Sequence, residues 1–252
     1  MEELPATVVT GAATGMGRAL CERLAARGAP VVAVDLNDEV LAWPKSHETV
    51  IPLVADIATE AGNQAMVDLA IEHFGTVGGA ALNAGVCIAG GIDTMPLEQF
   101  DLMWAVNLRG LVLGIRAVLP ALRARGGGAI VATASIGGLV GDPSMWAYNA
   151  TKAAIVSVVK SVALEIGHEA IRVNAVCPGP TRDTGMSAGL DEAEPRRFAT
   201  LARETALKRW GTAPEMAAAM DFLLSADASY ITGTTIVVDG GTIAGRAPRN
   251  PH

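Results

Sequence analysis

The chain has 252 residues, half of them hydrophobic but only 4% aromatic, and a net charge of −7 at neutral pH. A core of Ala, Val, Leu and Ile rather than large rings suits close-packed parallel sheet covered on both faces. The acids are scattered and no Lys/Arg cluster offers a basic face, which excludes nucleic acid and an anionic membrane as expected partners.

Seven short apolar, mostly β-branched runs are predicted as strands, at 7–10, 31–34, 51–54, 80–82, 129–132, 173–176 and 236–238. They alternate with helical patterns over 15–27, 60–74, 97–124, 146–167 and 213–225. Alternation of this kind implies right-handed crossovers onto both faces of a parallel sheet, an α/β doubly wound Rossmann fold. No linker, repeat or low-complexity tract divides the chain, so 1–252 is expected to be a single domain. Residues 37–49, where Pro44 cuts a helix short, and 181–209, long and polar, do not fit the alternation; the second is expected to be a substrate lid.

Directly after the first strand stands Thr10-Gly11-Ala12-Ala13-Thr14-Gly15-Met16-Gly17, opening a helix. Gly11 permits a tight turn, Gly15 lets backbone N–H groups approach a diphosphate, Gly17 allows close helix–sheet packing, and the helix N-terminus favours the phosphate charge. The spacing is GxxxGxG rather than GxGxxG, and the alternative is a glycine-rich turn without a ligand. Asp35 ends the second strand 18 residues beyond Gly17, where a carboxylate can accept hydrogen bonds from adenosine ribose hydroxyls and repel a 2′-phosphate. None of Ala12, Ala13 and Thr14 offsets that repulsion, so NAD is the expected cofactor; the alternative role for Asp35 is capping the next turn. Asp56 after the third strand and Asn83-Ala84-Gly85 after the fourth are further candidates, although both are ordinary strand-ending turn residues.

Tyr148-Asn149-Ala150-Thr151-Lys152 places a phenol and an ammonium at i and i+4, on one helix face. A cation about 4 Å from the hydroxyl, at an effective dielectric of about 20, would favour the phenolate by about 4 kcal/mol, enough for proton exchange near pH 7. Ser135 ends the fifth strand, 13 residues before Tyr148, at the sheet edge where open α/β folds bind ligands. No GxSxG surrounds it and no histidine accompanies it, so it is expected to orient and polarise a substrate oxygen rather than attack. Asn107 lies mid-helix, an unfavourable place for a residue that competes for backbone hydrogen bonds, which points either to a functional use or to a structural bond.

Together TGAATGMG, Asn83-Ala84-Gly85, the Asn107 helix, Ser135, YNATK, Asn174-Ala175-Val176-Cys177-Pro178-Gly179 and Val238-Asp239-Gly240-Gly241 resemble the short-chain dehydrogenase/reductase family over nearly the whole chain. The resemblance implies that Tyr148 is the general acid/base and that Lys152 lowers its pKa and binds the nicotinamide ribose. It implies that Ser135 holds the substrate oxygen and that Asn107 supports a proton relay through Lys152. It also implies cofactor contacts from Gly11, Gly15, Met16, Gly17, Asp35, Asp56, Ile57, Asn83, Gly85, Tyr148, Lys152, Pro178, Gly179 and Thr184. The chain departs from the family pattern in two places. Asp183 stands where a threonine is usual and Thr184 follows, making that loop one residue longer, and the stretch from Asp35 to Asp56 is short.

The cleft is expected to be lined by Val86, Ile136, Asp142, Met145, Trp146, Pro180, Met186 and Leu190, implying a mostly apolar alcohol or ketone as substrate. Asp142 could recognise a polar group or be a turn residue in Gly-Asp-Pro. Cys21, Cys87 and Cys177 form no CxxC and are expected as reduced thiols, with no metal site. The start Met1–Pro5 carries no basic-then-apolar leader, and no run reaches about 18 uninterrupted apolar residues, so a cytoplasmic location is expected. The helix after Tyr148 is apolar nearly all round, which calls for a second subunit; a homotetramer is favoured and a dimer is the alternative. The expected function is NAD-dependent interconversion of a secondary alcohol and a ketone. The alternatives are a 3-oxoacyl-thioester (acyl-carrier-protein) reductase and a non-catalytic nucleotide-binding sensor.

Overall fold

A computed structural model describes residues 4–38, 42–44, 47–187 and 195–245, without the side chains of residues 195, 197 and 198. Seven parallel strands form one sheet: β1 (Ala6–Thr10), β2 (Val31–Asp35), β3 (Val50–Val54), β4 (Val77–Leu82), β5 (Gly128–Thr133), β6 (Ile171–Pro178) and β9 (Thr235–Val238). Their order is β3-β2-β1-β4-β5-β6-β9. A second, two-stranded sheet pairs β7 (Thr181–Arg182) with β8 (Gly211–Thr212). The connection reverses direction between β1 and β4, which puts the switch point of a doubly wound fold beside the glycine-rich turn.

Alternate residues along each strand serve the two faces. Val8, Val32, Ala80, Ile130 and Val173 face one apolar layer, made with α2 (Glu60–Phe74), α4 (Gly110–Arg125) and α5 (Trp146–Ile166). Val9, Val31, Ala33, Ala81 and Val131 face the other, made with α1 (Gly15–Ala25) and α7 (Ala213–Leu224). Double burial explains why the central strands read as continuous apolar runs. At the edge, β3 is only half-buried and tolerates Pro52, whose missing N–H costs no ladder bond on an outer strand.

Besides the small second sheet, the structure departs from the sequence reading in three places. β4 begins at Val77, three residues earlier than expected, because Gly78 and Gly79 carry little strand preference but fit where a side chain could not: a Cβ on Gly78 would lie 2.4 Å from the Pro5 ring. The helical run from Leu97 is divided into α3 (Leu97–Met103), a π-helical turn over Trp104–Arg109, and α4. By length and composition Leu97–Arg125 could cross a bilayer, but Leu111, Ile115, Val118 and Leu122 bury its inner face in the core. Within 181–209 lies a helix, α6 (Pro195–Glu204), missed because its sequence, PRRFATLARE, is strongly polar.

α7 starts in a capping box. Thr212 Oγ and N both donate to Glu215 Oε2, at 3.0 and 2.8 Å, with Pro214 in the first turn. Asp221, on the buried side of this helix, pairs with Arg23 of α1 and with Arg27 just beyond its end, at 2.8 and 2.6 Å.

Candidate active site

The C-terminal edge of the sheet collects the functional candidates. From β1 comes the glycine loop. Gly11 has φ +67°, and a Cβ there would lie 2.9 Å from Ala84 Cα; a Cβ on Gly17 would lie 2.1 Å from Gly11 O. Both roles expected of these residues, tight turn and close helix packing, are therefore realised. Gly15, φ +54°, faces Thr184, whose Cα would lie 3.0 Å from a Cβ on Gly15. The extra residue of that loop is Asp183, which takes a left-handed φ of +61° and still lets Thr184 reach the glycine loop. Thr184 is held by Ser187, hydroxyl to hydroxyl at 2.9 Å.

α1 begins without a side-chain cap on Thr14 and without an acid in its first turn. Its first N–H groups have no intrahelical acceptors, so the loop suits a diphosphate. Asp35, at the end of β2, accepts Ala13 N at 2.9 Å and Asn37 N at 3.1 Å. It thus caps the following turn, one of the two roles that the sequence left open, and also fixes the glycine loop. Asp56 is exposed and accepts Ala58 N at 2.8 Å, as a turn residue does. Ile57 packs against Gly110. Asn83 bonds Thr10 O and Thr133 Oγ, tying β1, β4 and β5 together, while Pro178 and Gly179 end β6, with Gly179 N donating to Val238 O. Met16 packs on the core beneath the loop.

The second group lies on β5 and α5. Lys152 is 2% exposed and donates from Nζ to Thr133 O at 2.8 Å. Burial pulls its pKa down to about 8. A Cβ on Gly85 would approach Nζ to 3.3 Å, so glycine there leaves room for the ammonium. The Tyr148 phenol stands beside Ser135, whose Oγ accepts Gly137 N at 3.1 Å. The ammonium sits 5.6 Å from the centre of the Tyr148 ring. Contrary to expectation, burial pushes the phenol above its ordinary pKa, and the opposing pull of Ser135 is smaller. The sequence estimate placed the cation about 4 Å from the hydroxyl; here it lies under the ring and is bonded to a carbonyl, so desolvation wins.

Asn107 is buried in the π-helical turn. Its Oδ1 accepts Val86 N at 2.8 Å, and its Nδ2 donates to Val86 O at 2.9 Å and Thr151 Oγ at 3.0 Å. The amide clamps the end of β4 to α5, so of the two readings the structural bond is present. A π-helical turn at such a place is common near functional sites.

Val86 and Trp146 join Ile88, Met95 and Phe100 in an apolar cluster against Tyr148, with Phe100 and Trp146 stacked at 5.6 Å. Ile136 follows Ser135 directly, and Met145 is half-buried just ahead of α5. Asp142 is exposed and its carbonyl accepts Met145 N, which is the turn reading. Pro180 O accepts Gly211 N, and Met186 is 52% exposed beside the Thr184 turn. Leu190 lies outside the described residues. The sequence reading missed Ile88, Met95, Phe100 and the Thr133 carbonyl. The scarcity of aromatics could have flagged Phe100, but nothing in a sequence marks a main-chain acceptor. The three cysteines are free thiols, Cys21 and Cys177 buried and Cys87 half-buried. Burial raises the thiol pKa of the first two, that of Cys177 to about 11.

Comparison with known proteins agrees with this geometry. A family model described as enoyl-(acyl carrier protein) reductase matches residues 11–242. The chain is 40% identical to 2-(R)-hydroxypropyl-CoM dehydrogenase of Xanthobacter autotrophicus, over 94% of this chain and 98% of that protein. It is 38% identical to levodione reductase of Leifsonia aquatica, over 94% and 93%. A crystal structure of levodione reductase superposes with a TM-score of 0.91 at 35% identity, covering 96% of this chain and 98% of the other. That of a 3-ketoacyl-(acyl-carrier-protein) reductase from Brucella melitensis complexed with NADH gives 0.87 at 31%, covering 94% and 98%. The chain is an oxidoreductase belonging to the short-chain dehydrogenase/reductase family.

Proposed function

We propose that the protein is an NAD-dependent dehydrogenase that interconverts a secondary alcohol and a ketone. The observation that carries the reading is the Ser135–Tyr148 hydroxyl pair, with Lys152 buried one helical turn further along α5. The glycine loop, with its uncapped helix N-terminus, fits the diphosphate of a nicotinamide dinucleotide, and the Asp35 carboxylate beside that loop supports the reading in which it receives the ribose hydroxyls. NAD, when bound, supplies the hydride acceptor.

The chain's own groups handle the proton. Ser135 Oγ and Tyr148 Oη form one hydroxyl pair into which a substrate oxygen can hydrogen-bond. Tyr148 takes the alcohol proton in oxidation and returns it to the ketone oxygen in reduction. Below about pH 8 Lys152 is an ammonium, and its charge beside the ring favours the phenolate when the proton has moved. Asn107 keeps Val86, Thr151 and hence α5 in register with β4, and through Lys152 supports the proton path. The wall of Val86, Ile88, Phe100 and Trp146 excludes water and favours a mostly apolar substrate.

Relatives named for hydroxypropyl and dione substrates support the alcohol/ketone class. The second reading, reduction of a thioester-bound 3-oxoacyl group, is favoured by the Brucella match. That reductase is complexed with NADH, so cofactor choice does not separate the two readings. Steady-state assays with NAD and a panel of simple secondary alcohols, run beside NADH with a 3-oxoacyl thioester, do separate them. Turnover of the alcohols alone supports the dehydrogenase, and turnover of the thioester alone replaces it. We further infer a single domain acting in the cytoplasm as a homo-oligomer. The outer side of α5 exposes Ala153, Ser157, Ser161 and Leu164, the last 88% exposed, a small-residue face that a second subunit can cover.

A further inference from the structure

We propose that Trp43 selects the cofactor by sequestering Arg18, which keeps this cation from the 2′ edge of the adenosine ribose. The inference rests on the NAD reading above and adds a second selecting device to the Asp35 charge.

Trp43 lies in the short turn after β2, in the segment that the sequence marks as abbreviated. Its indole Nε1 donates to Ala12 O at 3.2 Å. The same two-residue stretch of glycine loop is gripped by Val34 O, which accepts Ala12 N at 3.1 Å, and by Asp35, which accepts Ala13 N. The indole therefore stands at the place where Asp35 meets the loop. Over its ring lies the Arg18 guanidinium, 5.3 Å from the centroid, while Arg18 Nε donates to Glu22 Oε1 at 2.8 Å. Arg18 is on the first turn of α1, beside the loop that would hold the diphosphate.

A guanidinium in that position is the natural partner of a 2′-phosphate, since its planar fork matches phosphate oxygens two at a time. Here the fork is held elsewhere. Its side chain is 45% exposed, so packing does not immobilise it; the indole ring and the Glu22 carboxylate do. An exposed i,i+4 ion pair alone is a weak restraint. Removing the ring should release Arg18 to neutralise a 2′-phosphate and offset part of the repulsion from Asp35.

The test is calorimetric measurement of NADH and NADPH affinities for the wild type, W43L, R18A and W43L/R18A, with circular dichroism to verify folding. The wild type should favour NADH. W43L should raise NADPH affinity relative to NADH by about fivefold, the size expected for one freed, partly exposed phosphate contact. The double variant should lose that gain, and R18A alone should leave the ratio within about twofold, because Arg18 is already withheld. An unchanged ratio in W43L, or a gain that persists without Arg18, overturns the proposal while leaving the NAD reading intact. A wild type that favours NADPH overturns the NAD reading itself. Should W43L fail to fold, E22Q loosens the same guanidinium from its other side: a gain in relative NADPH affinity that E22Q/R18A loses supports the proposal, and no gain overturns it.

Discussion

At the glycine loop, Gly11 and Gly17 meet their neighbours at separations that no Cβ could share, and Gly15 packs closely on Thr184. At the β5–α5 corner the contacts are made by polar side chains: Lys152 on the Thr133 carbonyl, Asn107 on Val86 and Thr151, with Tyr148 beside Ser135. The first region is specific in shape and chemically plain, since N–H groups and a helix terminus suit any diphosphate. The second is specific in chemistry. Its polar groups must be partnered once taken from water, and burial moves the protonation of Lys152 and Tyr148. A change at the loop should therefore act through binding and stability, and one at the corner through turnover and pH.

The largest effect should come from Y148F. Loss of the phenol should lower turnover by about 10²- to 10⁴-fold, the usual contribution of a positioned acid/base, while NADH affinity stays within about twofold. Turnover within tenfold of wild type would remove Tyr148 from the proton path. G17A makes the opposite change: its Cβ meets a carbonyl oxygen at 2.1 Å, backbone that cannot swing aside. We expect about 1–3 kcal/mol of destabilisation, seen as a fall of several degrees in Tm, together with loss of NADH binding. G141A, where a Cβ meets nothing within 4 Å, is the control and should melt with the wild type.

N107A should leave Val86 N–H and O without partners at the corner, at about 1–3 kcal/mol. A denaturant titration that shows no change in midpoint would contradict the clamp. Lys152 gives a smaller, pH-dependent signal. Its folded pKa of about 8 lies below the ordinary lysine value of 10.5, so below pH 8 the folded state carries the cost of a buried ammonium. As pH rises from about 8 towards 10 that cost is relieved, and the wild type should gain stability relative to K152M. Equal Tm slopes for the two proteins over this window would count against it. The smallest effect belongs to Glu215, at the start of α7. Arg209 and the Thr212 backbone N–H hold its carboxyl down to about 2. Its stabilising contribution is full above about pH 4.5 and is lost as pH falls towards 2, so E215Q should flatten the acid limb of a melting profile slightly.

All seven strands of the large sheet and five of its helices were readable because their periods follow directly from burial on one or two faces. The short pair β7–β8 was not, since its two-residue strands carry no pattern, nor was α6, whose sequence is mostly polar. Among the site residues, Tyr148, Lys152, Ser135 and the three glycines stand on elements whose ends the sequence marks. Phe100 and Ile88 do not: they reach Tyr148 from α3 and from the loop after β4, and only the packing of those segments on α5 brings them there.

The sequence by itself determined that strand, glycine turn and helix follow one another, that a phenol and an ammonium share one face of α5, and that an acid ends β2, because each of these is a matter of local spacing. The tertiary structure alone decided the electrostatics. Lys152 is turned onto the Thr133 carbonyl and Tyr148 is enclosed, so desolvation, which depends on everything packed around a group, outweighs the attraction that spacing alone suggested.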